Sequence, residues 1–323
     1  MGAAAFAGIV KSSDSDTGPL PPNLDIIQFP DRLVVYPTGD PLKDYPNLQG
    51  AISGYPQYIV SLMDRSRGGQ MTAFMLPEGE MVWVTRDVDV VGNKAVIQGG
   101  DVAFYCADNH SFGLKGVTLR YQSTAGVLGN FNNVDLVSSG VEPIPVPEPA
   151  HGFVLRLTGM LTVINTTVMN SRVGLYAEGM VGGQVTASTI FAGVCGAFLN
   201  GANTRISGSS FYLGGGEEGI SDVLLAGLSE TLMGNRYVGG TNIVIASSAS
   251  DSAVHIGRGS VASGVEPIPV PEPKIVDMGL NSVLRGRYTP AAAPPGLQNR
   301  IDALYEEMFG LLYVGGEGGG DLG

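Results

Sequence analysis

Val163-Ile164-Asn165-Thr166-Thr167-Val168-Met169-Asn170 aligns with Val185-Thr186-Ala187-Ser188-Thr189-Ile190-Phe191-Ala192. Beneath them fall Ile206-Ser207-Gly208-Ser209-Ser210-Phe211-Tyr212-Leu213, Leu232-Met233-Gly234-Asn235-Arg236-Tyr237-Val238-Gly239 and Val254-His255-Ile256-Gly257-Arg258-Gly259-Ser260-Val261, at offsets of 22, 21, 26 and 22 residues. The long step holds Gly214-Gly215-Gly216-Glu217-Glu218-Gly219, a surface insertion. Gly174-Leu175-Tyr176-Ala177-Glu178-Gly179 over Gly196-Ala197-Phe198-Leu199-Asn200-Gly201 repeats the offset of 22. A period of this length with Gly, Asn or Ser at corners fits a leucine-rich horseshoe or a parallel β-solenoid. The horseshoe needs Leu at fixed sites and an arc or helix in each repeat, and neither is visible. The solenoid stacks short strands on their counterparts in the next coil, so that coils unable to bury their apolar face alone share one core. The expected fold is an all-β parallel solenoid. About eight coils between residues 100 and 285 would give a rod of roughly 40 Å.

Composition agrees. Of 323 residues, 15% are charged and 48 are Gly, with 44% hydrophobic residues and a mean hydropathy of +0.17. Such a chain folds, and its Gly content calls for many tight turns. The net charge of -12 disfavours a nucleic-acid partner, because phosphate backbones repel an acidic surface. No run of about 20 apolar residues is present, so no membrane insertion is expected. Met1 to Val10 is apolar but lacks a basic start, and no secretory leader is expected. Cys106 and Cys195 stand apart, without CxxC spacing, and read as two free buried thiols.

Outside the repeats, residues 1–40 read as an arm, polar and Pro-rich from Ser12 to Pro22. Residues 41–100 read as a cap and opening strands. A short helix is expected over Leu48 to Leu62, where Leu48, Ile52, Ile59 and Leu62 recur at near-helical spacing. Phe74 to Leu76, a turn at Pro77-Glu78-Gly79-Glu80, and Met81 to Val84 follow as strand, turn and strand. The solenoid fills 101–288, and 289–323 holds a helix and a Gly-rich tail. In that helix Leu297, Ile301, Leu304, Met308 and Leu311 form an a/d stripe. The stripe either folds back onto the end of the solenoid or joins a three-helix bundle in a trimer. Ser139 to Pro149 recurs without change as Ser263 to Pro273. Pro143, Pro145, Pro147, Pro267, Pro269 and Pro271 remove alternate amide donors, so 140–149 and 264–273 are expected as excursions from the ladder. They are either stiff connectors or docking segments offered twice to a neighbour.

Asp44, Leu48-Gln49-Gly50-Ala51-Ile52, Leu76-Pro77-Glu78-Gly79-Glu80 and Ile97-Gln98-Gly99-Gly100 resemble the N-terminal pattern of pectate-lyase-like right-handed β-helices, a form frequent in bacteriophage tailspikes. The resemblance covers about residues 44–100, with Gly50 and Gly54 departing from it. It implies a right-handed parallel β-helix with a short N-terminal capping helix. It also implies a lyase, a glycosidase, a deacetylase or an inert rod, and a fold alone does not choose among these.

The residues lean away from catalysis. Glu230 and Asp251, 21 apart, are the one carboxylate pair that stacking could bring to glycosidase distance. Their alternative reading is as solvated side chains, as for Glu217 and Glu218. His110, His151 and His255 are scattered and read as surface or turn residues. No phosphate loop, nucleophile signature or metal-ligand cluster is visible, so no metal or cofactor is expected. Tyr176, Phe191, Phe198, Phe211 and Tyr212 lie within repeats and read as stacked core or groove-edge residues. With that resemblance, the expected protein is a virion component, a trimeric, tailspike-like rod; the alternatives are a spike enzyme that degrades or deacetylates glycans and a capsid or tail decoration protein docked through the proline segments. Residues 1–40 would anchor it to other virion proteins, and it would touch a host surface glycan without catalysis.

Overall fold

A computed structural model of the chain describes residues 25–63, 66–67, 70–142, 150–214, 219–238, 241–246, 253–257, 272–279 and 282–314. It is a β-solenoid of about 9 turns, 60% strand, with one helix at each end. Each full turn lays down three strands. We call their stacks faces A, B and C, in chain order. Face A runs from Met81–Trp83 to Thr289–Pro290, face B from Arg32–Val35 to Val283–Gly286, and face C from Phe74–Leu76 to Arg236–Val238. Long strands bend through corners. Val102–Arg120 alone contributes to all three faces.

The repeat read from sequence is the register of face B. Val163 pairs with Val185, Val185 with Ile206, and Ile206 with Leu232. The last rung differs: Leu232 pairs with Ile256 rather than Val254. Residues inserted before Ala253 shift the strand by two, and a two-residue shift keeps the same side chains inward. The expected insertion falls between Leu213 on face C and Ser221 on face A, and residues 215–218 within it lie outside the described residues.

Each corner has its own chemistry. Between faces B and C, Ser138, Asn165, Ala187, Gly208 and Gly234 take a positive φ. A buried Ser139, Thr166, Ser188, Ser209 or Asn235 follows each of them. These polar side chains serve neighbouring coils. Thr166 N donates to Ser188 Oγ, Ser188 N to Ser209 Oγ, and Ser209 N to Asn235 Oδ1. Backbone amides that the bend pulls out of the ladder thereby stay satisfied. Between faces C and A stand Gly126, Gly152, Gly174 and Gly196. A Cβ on Gly174 would lie 2.2 Å from Ile190 Cγ2 and 2.6 Å from the Gly196 carbonyl. Glycine lets the inward side chains of face C fill that corner.

The N-terminal helix, α1, spans Pro41–Ser53, earlier than Leu48 to Leu62. Asp40 caps it through Leu42 N, and Gly54 ends it. Ile59 and Leu62 belong to Ile59–Leu62, a face B strand. Val60 and Leu62 are the inward pair and Ile59 turns outward, and Gly54 with Pro56 separates this strand from the helix. Arg32–Val35, within the stretch read as an arm, is the first rung of face B. Residues 1–24 lie outside the described residues. Faces A and C begin later, and Leu48, Ala51 and Ile52 of α1 fill the space they leave.

The C-terminal helix, α2, spans Leu297–Val314. It is folded back, but along the flank of the rod rather than onto its end. Leu297, Ile301, Leu304 and Met308 are buried against the outer side of face A, with Val154, Tyr176, Phe198 and Leu224 among their partners. Leu312, not Leu311, completes the stripe, because Leu311 turns partly to solvent. Its 18 residues reach about 27 Å, enough to cross five or six rungs. Face A accepts it because strands such as Ser221–Leu225 are buried on both sides. Glu307 fastens the helix, accepting from Arg172 Nε at 3.0 Å and lying 3.3 Å from His151 Nε2. Arg156 bonds to Tyr313 near its end.

Gly140–Glu142 corrects the expected excursion 140–149. It is a face C strand paired on both sides, with Val141 buried. Those residues keep their amides, and the proline alternation starts only at Pro143. Pro143, Pro145, Pro147, Pro267, Pro269 and Pro271 lie outside the described residues.

Candidate functional site

In the strand Thr189–Gly201, Ile190 turns inward and Phe191 outward. In Ser210–Leu213, Phe211 turns inward and Tyr212 outward. Register then sets the partners on the outer side of face C: Phe191 beside Tyr212, Tyr212 beside Val238, and Ser210 beside Arg236. The Phe191 and Tyr212 rings stack with centroids 4.4 Å apart and planes 11° from parallel. The Arg236 guanidinium lies 5.8 Å from the centre of the Tyr212 ring. Phe191 is 36% exposed and Val238 41%. Met169, on the preceding coil, is also open to solvent. The result is a flat aromatic and cationic strip about two rung spacings long, roughly 10 Å. Parallel stacking fixes both rings at little entropic cost, and the guanidinium adds a donor fork beside a π-face.

The five aromatics grouped together in sequence therefore part company. Tyr176, Phe198 and Phe211 are buried. Tyr176 and Phe198 stack at 4.6 Å under α2, where Tyr305 meets Phe198 edge-on. Phe191 and Tyr212 are the groove-edge pair. Parity along a strand was the signal that separates them, since Phe191 follows the core residue Ile190 and Tyr212 follows Phe211.

Glu230, expected as a solvated side chain, is 2% exposed. It shares a rung position with Thr204 and Val254, and its burial pattern places it facing the core. Burial pushes its carboxyl up to about 7. Asp251 lies outside the described residues, as do Glu217 and Glu218. Asp222, which the sequence reading did not single out, is wholly buried, and burial pushes it up to about 7 against the hydrogen bond from Asn242 Nδ2 at 3.2 Å. Asp222 lies on face A and Glu230 on face B, with the bend at 226–228 between them.

The histidines remain apart. His110 lies 3.7 Å from Asp87, and His255 is exposed on face B. His151 corrects the surface expectation: it is buried beneath α2 beside Glu307. Cys106 and Cys195 are free and buried, and burial pushes the Cys195 thiol up to about 12, so neither is an activated nucleophile. Among the described residues no group of three His, Cys, Asp or Glu is placed to hold a metal. No described helix is long and apolar enough to cross a membrane. The chain matches no protein-family model, no curated protein and no solved structure.

Proposed function

We propose that this chain is a rigid attachment rod of the tailspike kind, a virion structural protein that holds a surface glycan on face C without reacting with it. The observation that carries this reading is the Phe191–Tyr212 stack, open to solvent and flanked by Arg236. Two large rings stacked on the outer side of face C keep part of their surface in contact with water. Sugar rings present C–H faces that settle on aromatic planes, and hydroxyls or carboxylates that a guanidinium can bind. A ladder repeats its side chains at about 4.8 Å, so successive rungs can meet successive units of an extended polymer. The viral setting, the homotrimer and the anchoring role of residues 1–40 draw their support from the resemblance of residues 44–100 to tailspike-type β-helices.

The test is a panel of purified bacterial capsular and lipopolysaccharide glycans, presented to the full chain and to a Phe191→Ala/Tyr212→Ala variant. Binding by the wild type, weakened about tenfold or more in the variant, is expected for the loss of one stacking platform. Polymer length and acetylation should not change on incubation. Failure to bind any glycan, or equal binding by the variant, overturns the reading. A sedimentation mass of one chain at micromolar concentration overturns its trimeric part.

A further inference from the structure

One coil carries two buried carboxyl groups with too few partners. Asp222 opens its face A strand and Glu230 lies in its face B strand. Asp222 occupies the rung after Gly196 in the column between faces C and A, whose missing side chains point toward the inward residues of face C. One oxygen accepts from Asn242, Oδ1 makes no hydrogen bond of ordinary geometry, and the Leu213 backbone is the other group that favours the charged form. Its titratable neighbours are Tyr237 and Cys195, neither a cation. The Tyr237 hydroxyl is also buried, with the Asn235 side chain as its partner but no hydrogen bond of ordinary geometry. Glu230 is worse placed: neither oxygen makes a hydrogen bond of ordinary geometry, and neither does the buried Thr204 hydroxyl one rung away. The Gly227 backbone is the one group that favours its charged form. Arg205 and His255 occupy the adjoining face B strands, but on their exposed outer side. Asp251 lies outside the described residues.

We propose that the coil spanning 219–238 is an acid-tightened lock: with Asp222 and Glu230 protonated it holds the C-terminal coils in the stack, and their ionisation loosens it. An uncharged carboxyl can donate to a neighbouring oxygen, whereas a carboxylate among these apolar walls has no cation to offset its lost hydration. Both groups sit at about 7 in the folded chain, above their ordinary 3.8 and 4.5. A raised folded-state value means that the stabilisation is complete below about pH 4. It is then lost progressively as the pH rises to about 7, and no more is lost beyond. The coil is tight in acid and slack from neutrality upward. This inference is independent of the glycan reading.

Hydrogen exchange on the full chain tests it, with rates corrected for the intrinsic effect of pH. The quantity read is the protection of peptides from 219–246 relative to peptides from 102–137. Between about pH 5 and about pH 8 this ratio should fall by about a hundredfold or more, since each carboxyl contributes up to tenfold per pH unit within its window. In an Asp222→Asn/Glu230→Gln variant the ratio should stay level. A wild-type ratio that does not move overturns the proposal, as does a variant that keeps the full pH response. Should the double variant fail to fold, the wild-type ratio and Glu230→Gln alone decide, with about half of the logarithmic response expected to remain.

Discussion

At the N-terminal end of the rod Asp44 is wholly buried and accepts four hydrogen bonds: from Thr38 N and Oγ1, Gly39 N and Met75 N. Toward the C-terminal end Glu230 is almost as deeply buried and accepts none of ordinary geometry. The two carboxyls lie in the same apolar core and differ in the backbone around them. Asp44 stands in the first turn of α1, where free amides converge and the helix dipole favours negative charge. Glu230 stands mid-ladder, where the Ala226 and Leu228 amides are committed to Leu199 O and Gly201 O of the preceding coil and the Gly227 backbone alone favours the carboxylate. Burial alone therefore does not decide whether a carboxylate orders a structure or threatens it; the supply of uncommitted donors does. The same end is stitched further by Gln49, which donates to Trp83 O and accepts from Trp83 N, tying α1 to face A.

The comparison can be broken most severely at Asp44. Asp44→Ala leaves four donors without their acceptor and should cost about 3–5 kcal/mol, read as a lower urea midpoint. A loss below about 1 kcal/mol would mean that water serves those amides equally well. Filling the glycine column should come next. Gly174→Ala forces a Cβ against Ile190 and the Gly196 carbonyl, with an expected loss of about 1–3 kcal/mol that is the same at acid and neutral pH. That flat response sharpens the contrast with Glu230, whose effect depends on pH. The smallest effect is expected at Glu307. Burial draws its carboxyl up, but His151 and Arg172 outweigh burial and hold it below the usual range. Its contribution is therefore present above about pH 4.5 and lost as the pH falls through the lowered value, the opposite sense to Glu230. Glu307→Gln should cost about 1 kcal/mol at neutral pH, with faster exchange confined to α2.

The repeat was legible because stacking imposes it. A rung must present apolar side chains at the same parity as the rung before, so Val163, Val185, Ile206 and Leu232 had to recur at one register. Where inserted residues lengthened the coil, the count failed and Val254 stood in for Ile256. The limits of α1 were not legible for a related reason: Leu48, Ile52 and Leu62 are core residues carried by two different elements, and Ile59 is half-buried on the outer side of its strand, so apolar spacing alone does not say which element carries each. The candidate site was legible only as a set of aromatics. Phe191 and Phe198 share one strand, and the corner between them sends one ring to solvent and the other beneath α2.

Sequence by itself determined the coil period, the Ser, Thr, Asn and Gly at the bends, the amphipathic stripe of α2 and the scarcity of charge. Each of these is a local requirement that every coil must meet alone. Only the tertiary structure decided that α2 lies along face A, that Tyr212 meets Phe191 and Arg236, and that Asp222 and Glu230 lie inside. Those outcomes depend on which coil stacks on which and on the side each strand turns inward, and that is fixed by the sum of contacts along the rod rather than by any one segment.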